Sequence, residues 1–321
     1  MRLKEKIGMS GNARWMNEAK HFGVMVHYLS HTQPRSGEHE QDFNTMIDRF
    51  DMEKFMEQFN HTGADWLIFT LGQNTGYYCS YNRYLESIAP GCCSRRDLAL
   101  ELAVRVKESG NKFIAYLPTE VDANVEKMRE AFGWDLHPAD KSEFMKMYML
   151  FVKEYSDKFG RLADGWWFDG CYNASEKSFL RTREWDNTRF ERDLWFAAVS
   201  SGNPEAAISM CPGANSLNYV FDTEDFLAGE VDLGTYPPNE LPAGMQPHVL
   251  FWLDCCWGHW DAPGEIVPPK VSEDELYEYI VACKKRGAAV TINIGIYEDG
   301  SMAEKSVEML HRVSKRLDER K

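Results

Sequence analysis

Short, almost continuously apolar segments alternate with amphipathic helical segments along the whole chain. Apolar segments of this kind are typical of parallel strands that helices cover on both faces of a sheet. Eight such units in 321 residues predict an α/β fold, specifically a (β/α)8 barrel of the TIM type. The predicted strands span residues 22–29, 64–72, 112–118, 165–169, 206–211, 226–233, 248–254 and 288–296, and the sixth of these is the least regular.

The helical segments between the strands carry start and stop signals. A capping-box pattern opens at Ser272, and glycines end the segments at Gly63, Gly110, Gly160 and Gly287. The rival fold, a doubly wound open sheet, usually carries a glycine-rich phosphate loop. No predicted strand is followed by G-x-G-x-x-G or G-x-x-x-x-G-K-[ST]. We therefore expect one catalytic domain over residues 1–321.

The charge balance argues against nucleic acids and anionic membranes as partners. The formal net charge is −14 and the isoelectric point is about 5.2, whereas both partners require clustered positive charge. No apolar run reaches the length of a membrane span. No apolar h-region follows the first residues, so we expect no signal peptide and a cytoplasmic location. The sequence leaves a homo-oligomer open.

The eight cysteines do not predict a metal centre or a disulfide framework. None forms a C-x-x-C pair, and two pairs are immediate neighbours. We interpret most of them as small buried apolar residues in a reducing compartment. No metal and no cofactor is predicted.

The segment GWWFDG at 165–170 predicts a buried strand that carries an acid, Asp169, at its carboxyl end. In a parallel α/β barrel the catalytic groups lie at that end of the strands. The neighbouring tryptophans favour a sugar site, because aromatic faces pack against sugar C–H groups. The alternative is a strand-end aspartate that caps the following helix or turn.

Polar, aromatic and acidic residues also follow the other predicted strands. Two carboxylates among amides and aromatic rings are typical of glycoside hydrolysis. The chain has no G-x-S-x-G and no H-E-x-x-H motif, and no cysteine lies in an obvious histidine context. The strand-end set comprises His27, Gln73, Asn74, Tyr116, Glu120, Trp167, Asp225, Glu230, Asp254, Trp257, Trp260 and Asn293.

Each of these residues also has a purely structural interpretation. His27 could be hydrogen-bonded to the backbone, and Gln73 with Asn74 could build a turn. Trp257 and Trp260 could pack rather than stack on a sugar. Glu224 and Asp225 could be solvated charges in an acidic loop.

Five segments together resemble the α-L-fucosidase family, the retaining fucosidases on a (β/α)8-like barrel. They are FGVMVH at 22–27, GADWLIFTL at 63–71, RRDLALELAVRVKESGNKFIAYLP at 95–118, GWWFDG at 165–170 and AAVTINIGIYEDGSM at 288–302. The resemblance covers about 15–315. It implies that Asp169 is the nucleophile and that His27, Tyr116 and Trp167 bind the sugar.

The resemblance also implies a general acid/base, for which Glu230 is our choice. Many members carry this residue at the end of D-[FY]-x-T-P-E, and DFLAGE at 225–230 has the same spacing with Ala-Gly in place of Thr-Pro. Glu224 and Asp225 remain alternatives.

The chain departs from the family pattern in three places. Gln73 and Asn74 stand where members carry a histidine pair that grips the sugar, and 211–215 offers no match for a sugar-binding arginine. The sequence also ends after the eighth unit, so no C-terminal β-sandwich is predicted. We therefore expect a retaining exo-glycosidase for an α-L-fucoside or a related sugar. The alternatives are a glycosidase for a different sugar and a carbohydrate-binding barrel without turnover.

Overall fold

A computed structural model describes residues 12–73, 75–121, 125–137, 141–171 and 191–320. Seven parallel strands form one sheet in the order β5-β4-β3-β2-β1-β7-β6. The parallel arrangement places the carboxyl ends of all seven strands at the same edge. The strands are β1 (Gly23–Val26), β2 (Trp66–Thr70), β3 (Lys112–Pro118), β4 (Gly165–Asp169), β5 (Ala207–Met210), β6 (His248–Trp252) and β7 (Ala289–Asn293).

Helices connect the strands and cover the outer face of the sheet. The side chain of Asp51 accepts a hydrogen bond from the Lys54 amide at the start of α3, and the predicted capping box between Ser272 and Glu275 at the start of α9 is confirmed. No helix among the described residues is long and apolar enough to cross a membrane. The helices are α1 (Arg14–Glu18), α2 (Phe43–Asp48), α3 (Met52–Thr62), α4 (Arg83–Ile88), α5 (Leu98–Glu108), α6 (Glu126–Ala131), α7 (Ser142–Phe159), α8 (Arg192–Val199), α9 (Glu273–Lys285) and α10 (Glu304–Glu319).

The prediction of eight strands is correct for seven and wrong for the sixth. Residues 226–233 form no regular strand, although their surroundings hydrogen-bond to both edges of the sheet. The Asp225 amide donates to the Ile208 carbonyl of β5, and the Gln246 amide before β6 donates to the Asp225 carbonyl. Only single bridges continue along β6, at Phe226 and Glu230. The sheet is therefore curled, with an irregular segment between its edges instead of a closed ring of eight strands.

Gly229 explains why this segment departs from strand geometry. Its φ of +69° lies in the left-handed region, where extended backbone cannot continue. A Cβ atom at this position would lie far inside van der Waals contact with the His248 carbonyl oxygen. The close approach of the two backbones thus requires glycine, immediately before Glu230.

We expect Gly229→Ala to lower the free energy of unfolding by at least about 2 kcal/mol, since the left-handed conformation costs roughly 1–2 kcal/mol and a backbone clash adds to it. Denaturant unfolding measures the loss. Gly287→Ala is the matched control, because Gly287 has a φ of +71° and open space around a Cβ. Equal losses in the two variants would contradict the close-approach argument.

The side chains of the sheet divide into two layers because successive residues of a strand point to opposite faces. Val24 and Val26 belong to the large outer core under the helices, whereas Met25 belongs to an inner cluster. The indole N–H of Trp66 donates to the Thr291 hydroxyl at 2.9 Å across this interior. The inner cluster fills the concave face and also contains Ile68, Ile114, Tyr116, Trp167, Ala207, Cys211, Phe226 and Leu250.

Candidate active site

Asp169 ends β4, and three donors orient its carboxylate. Oδ2 accepts from the Tyr116 hydroxyl at 2.7 Å and from Gln73 Nε2 at 3.0 Å. Oδ1 accepts from the Gly170 amide at 2.8 Å. Gly170 adopts a φ of +89°, which turns the chain away from the strand directly after the acid. The carboxylate is buried and bonded to residues from β3 and from the end of β2.

Glu230 lies beside Asp169. It is buried, and a carboxylate oxygen of each residue and the Cys211 Sγ atom all lie within 4.8 Å of one another. Burial and the negative charge of Asp169 raise the pKa of Glu230 to about 8, and a hydrogen bond with the Cys211 thiol acts in the opposite direction. Both causes favour the protonated form of Glu230.

The position of Glu230 depends on β6. Leu250 donates its amide to the Gly229 carbonyl at 2.7 Å, and Val231 donates to the Leu250 carbonyl at 2.9 Å. The imidazole Nδ1 of His248 also contacts the Leu227 carbonyl at 2.9 Å. These bonds attach the irregular segment to the sheet on both sides of the acid.

The two alternative acids have other partners. The Glu224 carboxylate accepts from the amides of Met210, Val220 and Phe221 at 2.7–2.9 Å. Asp225 accepts from the Asn12 and Ile208 amides, both at 3.0 Å. Both acids are buried, so the interpretation as solvated loop charges is wrong.

Both carboxylates tie the segment before Glu230 to β5.

Aromatic rings surround the two carboxylates. Tyr116 stacks on Trp167 with ring centroids 5.0 Å apart, and its other side meets His27 at 5.4 Å. Trp257 and Trp260 approach the His27 ring at 5.8 and 6.2 Å. The structure thus brings together His27, Gln73, Tyr116, Trp167, Trp257 and Trp260 with the two predicted catalytic acids, whereas Asp225 bonds to β5 and Asp254 bonds to the Ser306 hydroxyl. Asn74 lies outside the described residues.

Two buried polar groups on the inner face lack a hydrogen-bond partner within the described part of the chain. They are the indole N–H of Trp167 and the hydroxyl of Ser209. These residues are register partners across β4 and β5, and Trp167 belongs to the inner cluster. Unpaired buried polar groups are uncommon in folded proteins.

The structure also gives Cys211, to which the sequence assigned no role in the site, and Asn293, a member of the strand-end set, contacts that the sequence did not predict. Cys211 was interpreted as a buried apolar residue, yet it follows β5 by one position and its amide donates to the Phe168 carbonyl. The β4–β5 register therefore places it beside Asp169. Asn293 contacts His27, because β7 pairs with β1. Only strand pairing would have revealed either contact.

The carboxylate oxygen of Glu230 that binds a proton could instead ligate a cation. Among the described residues, Asp169, Cys211 and Glu230 form the one group of such side chains whose donor atoms are close enough to ligate one ion. Two carboxylates and a thiol are acceptable zinc ligands. A bound cation would displace the proton, so proton chemistry and metal binding exclude each other here.

Comparison with known proteins gives one family and one fold. The family profile described as Alpha-L-fucosidase matches residues 5–320. An alpha-L-fucosidase from Lactobacillus casei, solved with its alpha-L-fucose product, is 17% identical with a TM-score of 0.65, over 96% of this chain and 98% of that one. Alpha-L-fucosidase isoenzyme 1 from Paenibacillus thiaminolyticus is 16% identical with a TM-score of 0.69, over 99% and 76%.

An endo-fucoidan hydrolase from glycoside hydrolase family 107 is also similar, at 16% identity and a TM-score of 0.67, over 95% of this chain and 93% of that chain. At these identities the likeness to solved structures establishes the fold alone. No curated protein sequence matches the chain.

Proposed function

Because the family match spans nearly the whole chain, the protein belongs to the α-L-fucosidase family, and we propose that it is a retaining exo-glycosidase for a terminal α-L-fucose or a related sugar. The family membership makes it a glycoside hydrolase and confirms the resemblance carried by the five segments. In our proposal Asp169 is the nucleophile and Glu230 is the general acid/base. The substrate is a glycoside or an oligosaccharide.

The pairing of two buried carboxyl groups at neighbouring positions is the observation that carries this proposal. Retaining glycosidases hold their two carboxyl groups about 5–5.5 Å apart, whereas inverting enzymes leave about 6.5–9.5 Å for a water molecule. One carboxylate oxygen of Asp169 lies within 4.8 Å of one of Glu230, and this close approach is the geometric support for proposing the retaining mechanism. Three donors hold Asp169, while burial and the neighbouring charge favour the protonated form of Glu230.

The proposed reaction has two steps. Asp169 attacks the anomeric carbon while the bond to the leaving oxygen breaks, and Glu230 gives its proton to that oxygen. A glycosyl ester of Asp169 results. Glu230, now ionised, then takes a proton from water as the water oxygen attacks the anomeric carbon, which frees the sugar and restores both carboxyl groups.

Hydrogen-bonding groups on the inner face support a sugar as the ligand. The unpaired groups of Trp167 and Ser209 lie on β4 and β5, the strands that end beside Asp169 and Cys211, and the charge of Asp169 acts on the imidazole of His27. Gln73 contributes an amide that already donates to Asp169. An amide can donate and accept a hydrogen bond but cannot carry the charge of an imidazolium. We therefore propose low activity on simple α-L-fucosides.

We also propose that the enzyme works in a reducing compartment, the cytoplasm. All eight cysteines are free, including the adjacent buried pair Cys92 and Cys93, which supports this location.

A panel of aryl glycosides tests the proposed function. The protein is incubated with nitrophenyl α-L-fucoside and with the corresponding galactoside and other deoxy-sugar glycosides, and NMR identifies the anomer of the first product. We expect a product of retained configuration. A product of inverted configuration would overturn the assignment of Asp169 as nucleophile, and hydrolysis of none of the glycosides would favour a binding protein without turnover.

Replacement of Gln73 and Asn74 together by histidine tests the choice of sugar. We expect faster hydrolysis of nitrophenyl α-L-fucoside, because charged donors make hydrogen bonds roughly twice as strong as neutral ones. The measured quantity is kcat/KM, with the single variants for comparison. A wild-type kcat already on the order of 10 per second on this substrate, an ordinary enzymatic rate, would show that the amides are adequate substitutes.

A further inference from the structure

Asn293, the last residue of β7, uses both ends of its amide to connect two aromatic residues of the site. Its Nδ2 donates to the Trp257 carbonyl at 2.8 Å, and its Oδ1 lies 2.9 Å from Nδ1 of His27. A carbonyl oxygen can only accept, so the NH2 group must face Trp257. The amide oxygen must therefore face His27, and no flipped orientation satisfies both contacts.

This orientation determines which nitrogen of His27 carries the proton. Oδ1 of Asn293 can only accept, so Nδ1 of His27 must be the donor. We propose that Asn293 is a positioning residue that holds His27 as the Nδ1–H tautomer, so that its Nε2 atom presents a lone pair to a hydroxyl group of the sugar. The second half of this proposal rests on the proposed function; the tautomer does not.

The surroundings of His27 keep the imidazole neutral. Burial lowers its pKa, and the hydrogen bond to Asn293, the charge of Asp169 and the Trp257 carbonyl partly oppose this effect. The other groups that face the ring are Tyr116, Trp257 and Trp260. The ring nitrogen bonded to a side chain among the described residues is Nδ1, and Nε2 is the nitrogen that the proposal assigns to the ligand.

The same amide also stabilises the backbone of Trp257. Trp257 adopts a φ of +63°, a backbone conformation that residues other than glycine, asparagine and aspartate rarely adopt. Such strain persists only where neighbouring contacts impose it. The bond from Asn293 to the Trp257 carbonyl is one such contact, so loss of the amide affects the ring of Trp257 as well as the tautomer of His27.

NMR of protein with 15N-labelled histidine tests the tautomer directly. Long-range 1H–15N spectra distinguish protonated from unprotonated ring nitrogens, and the His27→Gln variant identifies the His27 signals. We expect a protonated Nδ1 and an unprotonated Nε2 in the wild type from pH 6 to 8. We expect Asn293→Ala to produce a mixture of tautomers and Asn293→Asp to produce imidazolium, because a carboxylate beside the ring raises its pKa.

Asn203→Asp is the matched control. Asn203 is another buried asparagine whose amide donates to a backbone carbonyl, that of Ala163 at 2.9 Å. It lies before β5 and has no contact with His27, so we expect its variant to leave the His27 signals unchanged. A change in the His27 signals of Asn203→Asp as large as that in Asn293→Asp would assign the effect to general loosening of the fold and would overturn the proposal.

The pH dependence of activity provides the second readout. In Asn293→Asp the pKa of His27 rises, so kcat/KM should fall as the pH decreases through that raised value, because imidazolium cannot accept a hydrogen bond. We expect a loss of 10-fold or more at pH 6, mainly in KM, and a smaller loss at pH 8. The wild type should show no such acidic limb from His27.

The outcomes separate this inference from the proposed function. A protonated Nε2 in the wild type overturns the role of Asn293, whatever the activity. A tautomer shared by the wild type and Asn293→Ala overturns it as well. If the wild type shows the Nδ1–H tautomer and hydrolyses no glycoside, the proposed function fails while the positioning role of Asn293 stands.

Discussion

Replacing Asp169 with alanine is expected to lower the rate of glycoside hydrolysis by at least about a thousandfold, since loss of a covalent nucleophile raises the barrier by several kcal/mol and each 1.36 kcal/mol is tenfold in rate. The variant should remain folded, because Asp169 contributes no contact to the outer core. Steady-state kinetics on nitrophenyl glycosides measures the loss. Azide should restore part of the turnover by entering the vacated space, and NMR should show a glycosyl azide of inverted configuration.

Tyr116→Phe is the control for the hydrogen bonds around the nucleophile. It removes the donor 2.7 Å from Oδ2 but leaves the carboxylate and the Gln73 bond. We expect the rate of hydrolysis of Tyr116→Phe to lie between that of the wild type and that of Asp169→Ala. Azide should not restore its rate. An Asp169→Ala protein that keeps about a tenth of the wild-type rate would contradict the assignment of Asp169 as the nucleophile.

The strand-end acid could be predicted because a continuous apolar run that ends in a carboxylate is a local signal. An apolar run that ends in Asp169 defines a buried strand, and the direction of a parallel sheet then fixes the edge at which the acid lies. Tyr116 and Trp167 follow from the same reasoning, because each lies near the end of its own apolar strand, and the structure shows them as register partners. For these residues the sequence pattern alone indicates a position near the carboxyl end of a strand.

The contacts of Asn293 and Cys211 could not be predicted in this way. Both depend on which strands pair and in which register, and His27 and Asn293 are 266 positions apart in the chain. The prediction of a sixth strand at 226–233 was wrong for a different reason. Gly229 and the backbone of His248 meet at a distance that only glycine permits, and this tertiary contact overrides the apolar pattern that favoured a strand.

Glu230→Gln should slow hydrolysis strongly for poor leaving groups and weakly for nitrophenyl groups. A poor leaving oxygen needs the proton that Glu230 supplies, whereas nitrophenolate departs without it. We expect a loss of about a hundredfold or more for alkyl glycosides, because general acid catalysis contributes roughly 10²–10⁴-fold. A Brønsted plot of kcat/KM against leaving-group pKa should be steeper for the variant. Glu224→Gln should keep the wild-type slope, although it loosens the loop that its carboxylate holds.

The pH dependence gives the same residue a second test. The pKa of Glu230 is raised from 4.5 to about 8, so the protonated acid is lost as the pH rises through about 8 and kcat/KM should fall there. The folded state also binds this proton more tightly than the unfolded state. Its contribution to stability is therefore complete below pH 4.5 and lost as the pH rises to about 8, with a slope of at most about 1.4 kcal/mol per pH unit.

Glu230→Gln should remove both the alkaline limb for poor leaving groups and this part of the stability slope, as measured by denaturant unfolding at several pH values. Asp169→Ala should lower the pKa of Glu230, because the neighbouring negative charge is one of the two causes that raise it. The pH range over which the free energy of unfolding falls should therefore end at a lower pH. A stability slope that is unchanged in Glu230→Gln would mean that another group holds the proton. The acid/base assignment would then pass to Glu224, the other buried glutamate of this segment, whose pKa burial also raises to about 8.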